Sequence, residues 1–239
     1  MLDKTVATLA DAVKDIRDGA TLLVSGFGAS GIPTELLVAL LEQGARDLTV
    51  VNNNGGNGPA GLSQLFLAGR VRKLICSFAR SANPAQPSAA AFAEVYRAGK
   101  IELECVPQGI MVERMRAAAA GLGPFFSPVS YGSKLAESKE TRVIDGKPYV
   151  LEAPLHADFA FVRARRGDRI GNLQYYRTAR NFNPMMATAA DVTIAEVEEL
   201  VEPGAIDPDH VITPGIFVRH ILKGERYENR IEKRTTRSG

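Results

Sequence analysis

The chain is predicted to be an α/β protein built on an open, mostly parallel, doubly wound sheet flanked by helices. Three observations carry that expectation. Apolar runs of strand length alternate with segments whose apolar residues recur at helical spacing. Glycine, asparagine and proline follow these runs, where turns belong. The 239 residues, 45% hydrophobic and 23% charged, are enough to bury a full core. Residues 1–239 are read as one domain, with a Gly/Pro-rich loop near 121–146 and a charged tail over 225–239.

The elements follow in order. Val6, Leu9, Val13 and Ile16 space an apolar face along an opening helix that ends near Gly19. TLLVSGF (21–27) is a buried strand. Pro33 and Thr34 open a helix over 35–43, with Leu36, Leu37, Leu40 and Leu41 on one face. LTVV (48–51), KLICSF (73–78) and IELECV (101–106) are further strands, and an Ala-rich helix lies near 111–120. The stretch 82–87 (ANPAQP) is an exposed loop. Strand signals return at YVLE (149–152), FAFVRA (159–164) and VTIAEV (192–197). The tail, rich in Arg, Lys and Glu, is a solvated segment or a terminal helix.

Composition excludes several functional classes. Against 29 Lys+Arg stand 27 Asp+Glu, a net charge of +2, so no broad basic face for nucleic acid is expected. No apolar run reaches the roughly 18 residues of a membrane helix, and the first 16 residues do not read as a secretory signal. Cys76 and Cys105 both sit inside apolar runs; two buried thiols suggest a reducing compartment, the cytoplasm.

Three polar constellations stand at strand ends. Gly26-Phe27-Gly28-Ala29-Ser30-Gly31 matches G-x-G-x-x-G between a strand and a helix. Such a turn can cradle an anion on free backbone N–H groups, or be no more than a tight turn. A dinucleotide site would also need an acid at the end of the second strand, where Asn52-Asn53-Asn54 stands instead. Those amides can polarise a carbonyl or hold a carboxylate without adding charge; with the glycines after them they can equally form a turn. Pro107-Gln108-Gly109 repeats the logic after the fourth strand: Gln108 can donate to a developing oxyanion, or simply open a helix.

Other chemistries find no support. His156, His210 and His220 are not spaced as metal ligands, Ser30 lies outside a G-x-S-x-G elbow, and no paired-carboxylate motif stands out. The residues describe an amide-rich anion or carbonyl pocket with no nucleophile of its own.

DGATLLVSGFGASGIP (18–33) resembles the first-subunit signature of the family I coenzyme A transferases, with Ser25 in place of the first glycine of Gly-Gly-Phe. DLTVVNNN (47–54), YRAGKIELECVPQG (96–109), ADFAFVRARRGDRIGNL (157–173), ARNFNP (179–184) and DPDHVITPGIFV (207–218) match in the same order. The resemblance spans nearly the whole chain. It implies the first of two kinds of subunit, working with a separate second one of similar fold in a heterotetramer that holds two copies of each (A2B2). It also implies ping-pong transfer of CoA between two acids, with a coenzyme A thioester as substrate and no tightly bound cofactor. In that family a glutamate of the second subunit, in Ser-Glu-Asn-Gly, attacks the acyl-CoA and carries a glutamyl-CoA thioester. No Glu-Asn-Gly occurs in this sequence, in keeping with the missing nucleophile.

The resemblance assigns Asn53, Asn54 and Gln108 to the substrate pocket, with Gln108 stabilising the oxyanion; Gly109 is read beside them, and Gly26, Phe27, Gly28 and Gly31 of the glycine motif are read as the CoA or anion loop. CSFAR (76–80), YRAGKIELE and PLHADFA (154–160) are most similar to members acting on succinyl-CoA and 3-oxoadipate, in the β-ketoadipate route of aromatic breakdown. Arg80 would then hold the second carboxylate of a dicarboxylic acid, or else be a surface arginine. GERYENRIEKR (224–234) is more similar to members acting on acetoacetate. An NAD-binding oxidoreductase and a non-catalytic ligand-binding domain are the more distant alternatives.

Overall fold

The computed structural model describes residues 2–56, 61–79 and 90–225. Four short strands form one half of the main sheet: β1 (Thr21–Val24), β2 (Leu48–Val51), β3 (Val71–Cys76) and β4 (Glu102–Cys105). They pair in parallel in chain order. Parallel neighbours need a crossover, and α2 (Thr34–Gln43), α3 (Leu62–Leu67) and α4 (Ala90–Arg97) supply it. The other half adds β8 (Ala157–Asp168), β10 (Ala190–Val201) and β11 (His220–Lys223) on the far side of β1. The order is therefore β11-β10-β8-β1-β2-β3-β4, with the two-residue β9 (Leu173–Gln174) antiparallel on β8. Chain order reverses between β1 and β8, the kind of switch point where open α/β sheets bind ligands beyond their strand ends.

Alternation along the strands explains why both faces are covered. Leu22 and Val24 of β1, Val50 of β2 and Leu74 of β3 join one apolar cluster, with α1 (Leu9–Val13), α2, α3 and α4 above it. Leu23, Val51 and Ile75 face the other way, onto α5 (Gln108–Ala119) and α6 (Asn183–Thr188). Residues one apart point to opposite faces, so a strand buried on both sides reads as an unbroken apolar run. LTVV, with all four residues buried, is that case.

Several expectations change. The opening helix is only Leu9–Val13: Thr8 caps it, its hydroxyl accepting from the Asp11 N–H at 3.0 Å, while Thr5 bridges to Ile221 and keeps the preceding residues extended. The stretch 121–146 is not simply loop. It contains β5 (Phe125–Ser127) and β6 (Thr141–Ile144), which pair antiparallel with β7 (Lys147–Glu152) in a separate sheet of order β5-β7-β6. Asp145 and Gly146, at φ 50° and 74°, make the two-residue turn that Asp-Gly favours between strands. Strands β8 and β10 run for twelve residues each, well past the apolar stretches that announced them. Cys76 is buried as expected, but Cys105 is exposed, because β4 is an edge strand. The 82–87 loop and the tail beyond Glu225 lie outside the described residues. Among the described residues, no helix is long and apolar enough to cross a membrane.

Candidate functional site

Asparagine and glutamine side chains converge at the carboxyl ends of β1, β2 and β4. Asn52 ties the first two strands together: its Nδ2 donates to the Val24 carbonyl at 2.6 Å, while its Oδ1 accepts the Asn54 N–H at 2.9 Å. Asn53 is buried, and its Oδ1 accepts from Gln108 Nε2 at 2.7 Å. Gln108 is the first residue of α5, behind Pro107. Its side chain is thereby fixed across a strand-to-strand gap with one amide N–H engaged, and a carboxamide has two. Backbone N–H groups in the first turn of a helix have no intrahelical partner, so Gln108 and Gly109 present further donors at the same place. Gly109 is exposed, and a Cβ built there would meet nothing within 4 Å. The arrangement is a set of uncharged donors aimed at one end of the sheet, suited to stabilising negative charge on a carbonyl oxygen.

Asn54 has a different place from Asn53. Its side chain accepts the Gly56 N–H at 2.9 Å, and its backbone bridges to Phe78. It shapes the exit of β2, as the turn alternative anticipated. The structure thus brings Asn53 and Gln108 into contact and leaves Asn54 turned onto its own loop. Arg80 lies outside the described residues.

The 26–31 segment is a tight turn between β1 and α2. Phe27 and Ser30 exchange two backbone hydrogen bonds of 3.0 Å, and Phe27 is half exposed. Gly26, Gly28 and Gly31 all have positive φ, at 116°, 60° and 71°. Gly31 is also pressed against other backbone: a Cβ there would lie 2.5 Å from the Ala179 carbonyl. The carbonyls of this turn are held inward. Asn181 Nδ2 donates to Ser30 O at 3.0 Å; Asn183 Nδ2 and Ser25 Oγ both donate to Gly31 O at 3.2 Å. Among the described residues, the N–H groups of Gly28, Ala29 and Gly31 meet no acceptor. Backbone N–H groups left open in such a turn are able to hold an anion.

A buried polar frame supports that turn from β8, β10 and α6. Asn183, fully buried, accepts the Arg163 N–H at 2.6 Å and donates to Ala179 O at 2.9 Å. Arg163 pairs with Glu198 at 3.2 Å. Glu196, also buried, accepts the Glu35 and Leu36 N–H groups at 3.0 and 3.1 Å, closing the start of α2. Burial pushes its carboxyl up to about 7, against the pull of those N–H groups and of Arg163. Sequence reasoning misses all of these residues as functional. Arg163 and Asn183 fall inside stretches that match the family pattern, but a buried asparagine between two turns leaves no periodic signal.

The coenzyme A transferase family pattern matches residues 6–224. The chain is 56% identical to the A-type subunit of the 3-oxoadipate CoA-transferase of Pseudomonas putida over 222 residues, covering 93% of this chain and 94% of that one. It is 47% identical to the A-type subunit of the succinyl-CoA:3-ketoacid coenzyme A transferase of Xanthomonas campestris pv. campestris over 224 residues, covering 94% and 90%. Among solved structures, the acyl-CoA transferase of E. coli O157:H7, in a thioester complex with CoA, shares the fold at a TM-score of 0.79 and 22% identity. That match covers 93% of this chain and 47% of the other, so the chain spans about half that protein's length. A pattern matched over nearly the full length, on a parallel sheet with this strand-end site, shows that the chain belongs to the coenzyme A transferase family.

Proposed function

We propose that the chain is the first, A-type subunit of a 3-oxoadipate CoA-transferase, moving CoA from succinyl-CoA to 3-oxoadipate in aromatic catabolism. The observation that carries this reading is 56% identity over almost the whole length of a relative with that name, against 47% for the 3-ketoacid relative. Residues 1–239 act as one transferase subunit, and the nucleophile comes from a glutamate of the second, B-type subunit in an A2B2 assembly. That carboxylate attacks the thioester carbonyl of succinyl-CoA. The C–S bond breaks, leaving a glutamyl–succinyl anhydride and CoA thiolate. The thiolate attacks the glutamyl carbonyl, releasing succinate and leaving a glutamyl-CoA thioester; 3-oxoadipate then takes the CoA by the reverse steps and regenerates the carboxylate.

In this reading the present chain contributes shape and dipoles. Gln108, oriented by Asn53, donates to the oxyanion as the thioester carbonyl is attacked. Uncharged donors suit that step, since they stabilise the developing charge without binding the acid product as a counter-ion would. Asn54 and Gly109 border the pocket, and the 26–31 turn offers its N–H groups to an anionic part of the thioester. Arg80 takes the distal carboxylate of the acceptor. No resident cofactor enters the cycle, and CoA enters as substrate. The unpaired cysteines suit the reducing cytoplasm.

The test is CoA transfer from succinyl-CoA by this chain co-purified with its partner subunit. Preference for 3-oxoadipate over acetoacetate, and only with both chains present, is expected. Preference for acetoacetate moves the assignment to the 3-ketoacid branch. Turnover by this chain alone overturns the placement of the nucleophile.

A further inference from the structure

Arginines are spaced closely along β8 and just beyond it, and most are neutralised. Arg163 pairs with Glu198 at 3.2 Å, Arg166 with Glu199 at 3.1 Å and Arg169 with Glu202 at 2.8 Å. Arg165 and Arg177 differ: among the described residues, neither has a carboxylate within ion-pair distance. Both instead crowd one aromatic ring. Their guanidinium carbons lie 4.6 and 4.9 Å from the Tyr176 ring centroid, and Tyr176 is 47% exposed. Cation–π contact holds each group in place while leaving its N–H donors to solvent. Two like charges gathered at one ring repel, and an anion between them removes that repulsion.

This charged pair is tied to the glycine turn. Arg177 has φ 48°, a disfavoured backbone for arginine, so its position is imposed by its surroundings. The 177–181 segment is fastened to the turn by Asn181 on Ser30 O and by Asn183 on both Ala179 O and Gly31 O. Gly31, Arg165, Tyr176 and Ala179 line one cleft together with Arg163 and Glu198, whose carboxylate is taken up by Arg163 at 3.2 Å. Arg180, exposed on the same segment, adds a third positive charge.

We propose that Arg165 and Arg177, set around Tyr176, bind the phosphate groups of the coenzyme A thioester. The inference rests on the transferase reading above. Distance selects the phosphates over the acid. The Gln108 amide is held by Asn53 at the end of β2, two strand-to-strand steps from β8, roughly 10 Å at the usual spacing, and Arg165 lies about three residues, roughly 10 Å, further along β8. A four-carbon acyl group held at Gln108 ends well short of the arginines. The pantetheine arm of coenzyme A separates thioester from phosphates by a comparable length, so the two ends of one molecule meet the two sites.

The experiment uses the enzyme assembled from both chains and two donors: succinyl-CoA, and the succinyl thioester of pantetheine, which has no phosphate. In Arg165→Gln and Arg177→Gln, KM for succinyl-CoA should rise about tenfold, as for a lost charge-assisted contact to phosphate. KM for the pantetheine thioester and for the acceptor acid should not move. Added salt should raise the wild-type KM for succinyl-CoA, and less so in the double variant. An unchanged KM overturns the subsite, as does an equal rise for both thioesters or a rise for the acceptor alone. Variants that no longer co-purify with the partner chain also overturn it, because the arginines would then serve assembly. Inactivity of the unsubstituted enzyme toward both thioesters is a separate result, and it removes the transferase reading itself.

Discussion

The two halves of the main sheet end differently. On the β1–β4 side the strands have four to six residues and stop at amides: Asn52 and Asn53 after β2, Gln108 after β4. On the β8–β10 side they run twelve residues and carry charge past the point where β1 stops: Arg163 and Arg166 on one, Glu196 and Glu198 on the other. The short half offers neutral hydrogen-bond donors where a carbonyl can sit. The long half uses ion pairs and buried amides to hold the glycine turn and the start of α2. On the proposed transferase reading one side serves the chemistry and the other holds the geometry of the turn, so substitutions on the two sides should affect different measurements.

The largest effect is expected on the geometric side. Asn183→Ala removes the partners of the Arg163 N–H and of the Ala179 carbonyl, and one of two on the Gly31 carbonyl. Asn183 is fully buried, so water does not replace it without opening the structure. A buried unpaired group costs about 1–3 kcal/mol, so a loss of about 4 kcal/mol in unfolding free energy is expected. Denaturant unfolding of the chain measures it. A loss below about 1 kcal/mol would show that Asn183 does not hold the frame.

The next effect belongs to the chemical side and reverses the pattern. Gln108→Ala should lower kcat of the assembled enzyme about a hundredfold, or about 2.7 kcal/mol, as for an oxyanion donor. Its stability cost should stay near 1 kcal/mol, since Gln108 is only partly buried and loses one hydrogen bond, to Asn53. Steady-state kinetics beside a melting curve decides it. A drop in stability matching the drop in rate would erase the contrast between the two halves.

That contrast is only partly legible in the sequence. The short half is readable because its signals are local: LTVV is an apolar run with an amide cluster directly behind it, and Pro107-Gln108-Gly109 opens a helix after a strand. Asn53 and Gln108 meet because β2 and β4 bring residues 55 positions apart to one edge. The long half is harder. Arg165, Arg166, Glu198 and Glu199 follow the apolar stretches 159–164 and 192–197, so β8 and β10 read as six-residue strands and their charged ends go unannounced. Such charges are tolerated inside strands because Arg163 and Arg166 pair with Glu198 and Glu199 across the parallel pair, a fact of register that a single strand does not reveal. In 121–146, Gly, Pro and Ser content outweighs the Asp-Gly turn that in fact joins β6 to β7.

The smallest effect tests whether the long half carries its charge at a cost. Glu196 is buried against the first N–H groups of α2 and feels Arg163 of β8 and Glu35 of α2, Arg163 being paired with Glu198. Burial raises its carboxyl from the ordinary 4.5 to about 7. Between those values the folded chain holds a proton that the unfolded chain has released. Stability therefore falls as pH rises through that window and is flat, for this group, above it. The full shift sets an upper bound, and a loss on the order of 2 kcal/mol between pH 5 and 8 is expected. Glu196→Gln removes the titration while keeping an oxygen to accept from Glu35 and Leu36, so the variant should lack that slope. Unfolding free energies of both proteins at pH 5 and 8 form a double difference in which every other titrating group cancels. Equal slopes would mean that Glu196 stays ionised throughout, fully compensated by Arg163 and the α2 N–H groups, and that the long half holds the glycine turn without a pH-dependent cost.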